Sequence, residues 1–178
     1  MGIMNLPNTL TLTRIVFIPL FVTSVIYNRY NYALYLFLFA ALTDMLDGLI
    51  ARIKNQKTAL GTFLDPLADK FLLVTSFILF AIYHKVPVWL TITIISRDVI
   101  VVTGWVVIYL VYDTAKVEPS MLGKIAIAFQ LILICYILLG INLPKLPDIR
   151  NYLIWITALF TILSALHYIY RELTRSNA

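Results

Sequence analysis

The chain has almost no cysteine and few charged residues. Cys135 is the only cysteine in 178 residues, so a disulfide within the chain is impossible and zinc sites built from several thiolates are excluded. Charged residues make up 13% of the sequence against 61% hydrophobic residues, and a soluble domain needs more charge than this on its surface. The composition therefore predicts an integral membrane protein.

Acidic residues are fewer than basic ones, and the formal net charge is +5. A basic balance can indicate nucleic-acid binding, but basic residues that flank membrane helices produce the same total. We therefore expect membrane lipids with anionic headgroups or phosphorylated substrates as partners, and no nucleic acid.

Long apolar runs, interrupted by short polar segments, occupy most of the chain. Because a membrane-spanning helix needs about 20 apolar residues, the runs predict roughly six transmembrane helices and an all-α integral membrane fold. A mixture of Leu, Pro, Asn and Thr at 5–11 predicts a short interfacial helix before the first span. Neither repeats nor linkers are apparent, so we expect a single membrane domain over residues 1–178. The predicted spans are 9–28, 32–51, 62–83, 88–112, 121–140 and 151–170.

Lysine and arginine are more frequent on one predicted side of the membrane than on the other. The positive-inside rule then places both termini and the 52–61 loop in the cytoplasm, in an inner (cytoplasmic) membrane. The richer side holds Arg52, Lys54, Lys57, Lys116, Arg171 and Arg175, with Arg14 and Lys124 near the same face; the poorer side holds Arg29, Lys85, Lys145 and Arg150.

Four aspartates lie within 26 residues of this apolar chain. Asp44 and Asp47 are three residues apart at the end of the second predicted span, and Asp65 and Asp69 are four residues apart at the start of the third. These are single-turn helical spacings, so each pair shares one helix face and the two pairs can oppose each other across the short loop. The sequence predicts that this acidic cluster is the functional site, facing the cytoplasm.

Carboxylates this close together repel one another unless cations, basic groups or protons neutralise them. Bound divalent metal ions are the simplest way to neutralise four carboxylates. All-oxygen ligands suit Mg²⁺ or Mn²⁺ rather than zinc. Four acids on two helices predict a pair of such ions, as in two-metal phosphoryl transfer.

Small residues and an arginine accompany the acids. Gly48, Ala51 and Gly61 have little or no side-chain bulk, so a ligand can lie against the helix backbone there; close helix packing is the alternative explanation. Arg52 can bind a phosphate or pair with a carboxylate, and its alternative role is a topology charge.

The full pattern, Asp44-x2-Asp47-Gly48-x2-Ala51-Arg52-x8-Gly61-x3-Asp65-x3-Asp69, resembles the signature of the CDP-alcohol phosphotransferase (CDP-alcohol phosphatidyltransferase) family. These membrane enzymes move a phosphatidyl group from CDP-diacylglycerol to an alcohol and release CMP. Residues 5–14 and 63–70 are similar to bacterial phosphatidylglycerophosphate synthases. The resemblance also implies a homodimer.

The resemblance implies a role for each motif residue. Asp44, Asp47, Asp65 and Asp69 would bind the metal ions, and Asp69 would also act as the general base. The residues expected to surround the CDP group are Gly48, Ala51, Arg52 and Gly61.

Three further basic residues are candidates for binding the acceptor alcohol. Arg97 lies inside the fourth span and is the leading candidate, a buried structural pair with Asp98 being its alternative role; Lys124 opens the fifth span and Arg14 the first. Three cations from separate helices suit the phosphate of glycerol 3-phosphate, which predicts phosphatidylglycerophosphate as the product.

Two other functions remain open at this point. The segment Ile95-Ser96-Arg97-Asp98-Val99 also resembles cardiolipin synthases of the same superfamily, whose acceptor is phosphatidylglycerol. A cation transporter would use intramembrane acids too, but transport sites tend to lie near the bilayer midplane between internal repeats. Here the acids cluster at one end of their helices, so we favour the enzyme.

Overall fold

The computed structural model describes residues 6–54, 59–112, 120–143 and 145–176, with side chains described at 16–43, 70–104, 120–143 and 145–171. Regular structure in these ranges is α-helical throughout. The six predicted spans are confirmed as helices, with ends that differ from the prediction by a few residues. The helices are α1 Leu6–Ile26, α2 Tyr30–Lys54, α3 Ala59–Ile82, α4 Val88–Tyr112, α5 Met121–Asn142 and α6 Arg150–Ser176.

The predicted separate interfacial helix is wrong, because α1 begins at Leu6 and continues without a break to Ile26. Pro7 does not interrupt it, since a proline in the first turn removes no helical hydrogen bond. Pro19 lies inside the helix, and its missing N–H removes one main-chain hydrogen bond there.

The chain forms two compact units, whose division passes through α3 and α5. The first unit comprises residues 1–79 and 135–146, and the second comprises residues 80–134 and 147–178. The prediction of one domain stays a prediction.

In the first unit, α1 and α2 form a helical hairpin. Its turn contains Asn28 in the left-handed region at φ 57°, which asparagine tolerates better than most residues. Phe17 contacts Phe39 edge to face at 5.5 Å between ring centroids, which fixes the two helices against each other. The end of α5 joins this unit through Asn142, whose Nδ2 donates to the Tyr30 carbonyl at 3.2 Å.

In the second unit, α4 and α6 pack against each other and run parallel. Near the start of both helices, the ring centroids of Trp89 and Trp155 lie 5.3 Å apart. Farther along both, Arg97 contacts Ser164, so residue numbers increase in the same direction on the two helices. Farther along, a Cβ on Gly104 would lie 2.8 Å from the Tyr168 ring, so this ring packs directly against the α4 backbone there. On α5, Gly123 lies near Ser164 of α6, whereas the later residue Phe129 stacks on the earlier residue Phe160. These two helices are therefore antiparallel.

In its middle, the α6 helix buries three polar side chains while large apolar side chains beside them are exposed. Thr157, Thr161 and Ser164 are at most 1% exposed, whereas Trp155 and Leu159 are more than half exposed. This is the reverse of a helix on the surface of a soluble protein, and it suits a surface that faces lipid. By length and composition, α5 and residues 150–171 of α6 can each cross a membrane.

Candidate functional site

The motif aspartates lie on two helices that are continuous through the motif. α2 is helical at Asp44 and Asp47, and α3 is helical at Asp65 and Asp69. The spacings of three and four residues are therefore single helical turns, as the metal-site prediction requires. The side chains of residues 44–69 lie outside the described part, so the opposition of the two acidic faces stays a prediction.

The same holds for the predicted CDP-binding residues and for Arg14, whose side chain is likewise outside the described part. The side chains that are described include no group of three His, Cys, Asp or Glu able to hold a metal ion. The four motif aspartates are not among these side chains, so the metal site stays a prediction. The predicted CDP-binding residues are Gly48, Ala51, Arg52 and Gly61.

Arg97 occupies a polar cluster inside the second unit. Its side chain is buried, and Nε and Nη2 both donate to Ser164 Oγ on α6, at 3.3 and 2.8 Å. Nη1 donates to Asp98 Oδ1 at 2.8 Å, so the pair that the sequence offers as the structural alternative for Arg97 is present. A guanidinium away from water is tolerable only when it is paired and hydrogen-bonded in this way.

The first turn of α5 approaches the same guanidinium at Gly123. A Cβ at this position would lie 2.9 Å from Arg97 Nη2 and 3.1 Å from Ser120 Oγ. Ser120 caps α5, since its Oγ accepts the Gly123 N–H at 3.1 Å. The Arg97 guanidinium therefore lies where α4, α5 and α6 meet.

Lys124 follows Gly123 and is exposed. It lies in the first turn of α5, where the helix macrodipole contributes partial positive charge. Positive potential is therefore concentrated at this end of α5, which suits an anionic ligand. Of the three cations predicted for the acceptor phosphate, the structure places Arg97 and Lys124 at this one end of α5.

Ser164 and Ser120 belong to this cluster, and sequence reasoning missed both. A signal for Ser164 exists: Thr157, Thr161 and Ser164 recur at intervals of four and three residues in an otherwise apolar helix. This spacing defines one polar face. In a membrane helix such a face is expected to contact protein rather than lipid.

Known proteins resemble this chain over most of its length. Cardiolipin synthases (CMP-forming) of Rattus norvegicus and Homo sapiens are each 36% identical over 88% and 92% of the chain, and the chain spans only 57% and 60% of those proteins. The CDP-diacylglycerol–glycerol-3-phosphate 3-phosphatidyltransferase of Bacillus subtilis (strain 168) is 35% identical over 92% of the chain and 93% of that protein.

The family model described as CDP-alcohol phosphatidyltransferase matches residues 4–163. The match contains the whole acidic signature and both helices that carry it. It also contains Arg97 and Gly123, and it ends one residue before Ser164. The chain therefore belongs to the CDP-alcohol phosphatidyltransferase family of membrane enzymes.

Proposed function

We propose that this protein transfers the phosphatidyl group of CDP-diacylglycerol to glycerol 3-phosphate, releasing CMP and forming phosphatidylglycerophosphate. The complete acidic signature on two helices carries the proposal. Support for the acceptor comes from the Bacillus subtilis relative, named for this reaction, which the chain matches over 93% of its length.

Two divalent ions, Mg²⁺ or Mn²⁺, are proposed to bind the four motif aspartates. The donor set fits, because it is all carboxylate oxygen on helical positions one turn apart. When bound, the metal ions supply the positive charge that the pyrophosphate of the donor and the departing CMP require. The metal ligands are Asp44, Asp47, Asp65 and Asp69.

The remaining motif residues orient the donor and handle the proton. Asp69 accepts the proton of the attacking hydroxyl, so that the alcohol oxygen can form its bond to the β-phosphorus as the bond to CMP breaks. Gly48, Ala51 and Gly61 leave room for the cytidine diphosphate against the helix backbones. Arg52 donates hydrogen bonds to its phosphates.

The acceptor phosphate is proposed to bind Arg97, Lys124 and Arg14. Arg97 has five N–H groups, and the hydrogen bonds among described residues use three of them. One N–H on each terminal nitrogen is then available, which is the pair that binds two oxygens of one phosphate. Lys124 and the N-terminus of α5 add charge beside it.

The second candidate is cardiolipin synthesis with phosphatidylglycerol as acceptor. It is favoured by the 36% identity to the rat and human cardiolipin synthases. Glycerol 3-phosphate is a water-soluble phosphate monoester, whereas phosphatidylglycerol is a lipid phosphodiester that must enter the site from the bilayer. The two candidates therefore differ in the acceptor alone.

Purified protein supplied with CDP-diacylglycerol and each acceptor in turn decides between them. We expect CMP release with glycerol 3-phosphate and little with phosphatidylglycerol, serine or inositol. Turnover only with phosphatidylglycerol would overturn the proposed acceptor. Divalent ion flux into liposomes without any CMP release would contradict the proposed reaction itself.

All six helices are proposed to span the inner membrane, with both termini and the 52–61 segment in the cytoplasm. This placement keeps the diacylglycerol tails in the bilayer while the polar donor headgroup and CMP exchange with water. A homodimer is proposed from the family resemblance, and crosslinking in native membranes tests it.

A further inference from the structure

We infer that Ser164 on α6 is a positioning residue for the acceptor, because it holds the Arg97 guanidinium in the orientation that leaves its terminal N–H groups for a phosphate. This inference rests on the proposed acceptor site. It adds α6, which carries no residue of the acidic signature, to the machinery that selects the acceptor.

The geometry of the Arg97–Ser164 contact carries the inference. One hydroxyl oxygen accepts hydrogen bonds from both Nε, at 3.3 Å, and Nη2, at 2.8 Å. Because two N–H groups on the same edge of the guanidinium donate to one oxygen, that edge must face Ser164. A single hydrogen bond would let the guanidinium pivot about it. Ser164 is 1% exposed and Arg97 8%, so water does not replace the contact.

The opposite edge of the guanidinium is restricted as well. Asp98 accepts from Nη1 at 2.8 Å, so the plane is held from two sides. The absence of a side chain at Gly123 admits Nη2 into the first turn of α5, where a Cβ would lie only 2.9 Å away. The position of the guanidinium thus depends on the Ser164 hydroxyl, the Asp98 carboxylate and the absence of a side chain at Gly123.

A substitution that removes the Ser164 hydroxyl should affect the acceptor and not the nucleotide donor. We expect Ser164→Ala to raise the KM for glycerol 3-phosphate about tenfold or more, since the variant loses the acceptor of two hydrogen bonds from a charged group and losing even one typically has about a tenfold effect. The KM for CDP-diacylglycerol should stay within about twofold of wild type, because the loss is of acceptor binding alone.

Thr161→Ala is the matched control. Thr161 is a fully buried hydroxyl on the same face of α6, and it accepts from Gln130 Nε2 at 3.3 Å rather than from Arg97. It should cost similar thermal stability and leave both KM values unchanged. An equal rise in acceptor KM for Thr161→Ala would show that general weakening of α6, and not the Arg97 contact, is responsible.

Gly123→Ala provides a second variant with a different physical cause. Alanine favours the helix, so the protein should fold, but the new Cβ displaces the guanidinium by a few tenths of an ångström. The acceptor KM should rise as it does for Ser164→Ala. An unchanged acceptor KM in both variants would overturn the inference.

A double-mutant cycle separates positioning from independent structural effects. Arg97→Ala should raise the acceptor KM more than Ser164→Ala, and the double variant should be no worse than Arg97→Ala, because Ser164 acts only through Arg97. Additive losses would contradict the inference.

The wild-type acceptor assay keeps this test distinct from the proposed function. If wild type turns over phosphatidylglycerol only, the proposed acceptor fails, and the same variants are assayed with that phosphodiester. A selective rise in its KM would still support positioning of Arg97 by Ser164, whereas no change would reject it.

Discussion

The four motif aspartates occupy positions where a carboxylate is costly unless something neutralises it. They fall in the C-terminal half of α2 and the N-terminal half of α3, in a chain with 13% charged residues, and each pair is separated by a single helical turn. Carboxylates so placed have no structural advantage over apolar residues in a membrane helix. Their cost is the physical reason to assign them a chemical role.

Replacing Asp65 or Asp69 by asparagine should abolish CMP release without unfolding the protein. For Asp69 the loss of the base should lower the rate at least about 100-fold, while removing one like charge from the cluster relieves repulsion. CMP release and thermal unfolding in detergent are the measurements. Asp148→Asn, at an exposed position before α6, is the control and should keep full activity. Near-normal activity in either motif variant means that its assigned role is wrong.

Arg97 differs from the motif aspartates because the structure describes its side chain and its hydrogen-bond partners. The sequence offered the buried pair with Asp98 as one possible role of Arg97, since the two residues are adjacent. The two hydrogen bonds to Ser164 join residues 67 positions apart, and no local pattern could specify them.

At the scale of the elements, a glycine on α4 makes room for a tyrosine ring from α6. At Gly104 an added Cβ would lie 2.8 Å from both the ring and the hydroxyl of Tyr168. Gly140, on α5, has no atom within 4 Å of the corresponding position among the described residues. The two glycines therefore form a matched pair that differs in packing.

Gly104→Ala should lower the free energy of unfolding by about 1–3 kcal/mol, because the new methyl group forces the Tyr168 ring to move. Gly140→Ala should leave stability unchanged or raise it slightly, since alanine favours the helix. Thermal unfolding in one detergent measures both. Equal stability of the two variants would show that α4 and α6 do not pack closely at Gly104.

The contact between α5 and α6 includes a polar pair in the apolar interior. Gln130 Nε2 donates to Thr161 Oγ1 at 3.3 Å, and Gln130 Oε1 has no hydrogen-bond partner among the described residues. Such a pair contributes about 0.6 kcal/mol on average in membrane helices.

Thr161→Val should destabilise the protein by about 1 kcal/mol or more, because it leaves the buried Gln130 amide without its partner. Adding Gln130→Leu should recover most of the loss, since replacing both partners with apolar groups removes the unsatisfied atoms. Thermal unfolding of the two single variants and the double variant forms the cycle. A double variant that loses the sum of the single effects would contradict this interpretation.

At the scale of the whole molecule, bound metal should control activity. Treatment with EDTA should abolish CMP release, and Mg²⁺ or Mn²⁺ should restore it, because the predicted ligands are all carboxylate oxygens. Zn²⁺, which favours nitrogen and sulfur ligands, should restore it poorly. Activity that survives chelation and dialysis would refute the metal-dependent reaction.

The membrane orientation gives a second prediction for the whole molecule. In a Cys135→Ser background, cysteines introduced as Lys57→Cys and Asp148→Cys should lie on opposite sides of the membrane. A membrane-impermeant maleimide applied to intact cells should label position 148 at once and position 57 only after permeabilisation. The reverse pattern would mean that the motif faces away from the cytoplasm.

The amino-acid sequence by itself determined the membrane class, the six helices and the family. Each of these depends on composition or on residue spacing over one or two helical turns, and neither requires contacts between helices. Helix ends differed by a few residues, and residues 6–11 of the predicted interfacial helix are part of α1, because Pro7 falls in its first turn, where proline is tolerated.

Only the tertiary structure decided which side chains meet. The parallel packing of α4 on α6, the use of Gly123 to admit a guanidinium, and the hydroxyl of Ser164 as its double acceptor all join helices distant in the chain. Helical periodicity identifies the inward face of each helix but leaves its partner and its axial position undetermined. Those depend on how the side chains of three helices fit together, which is a property of the folded chain.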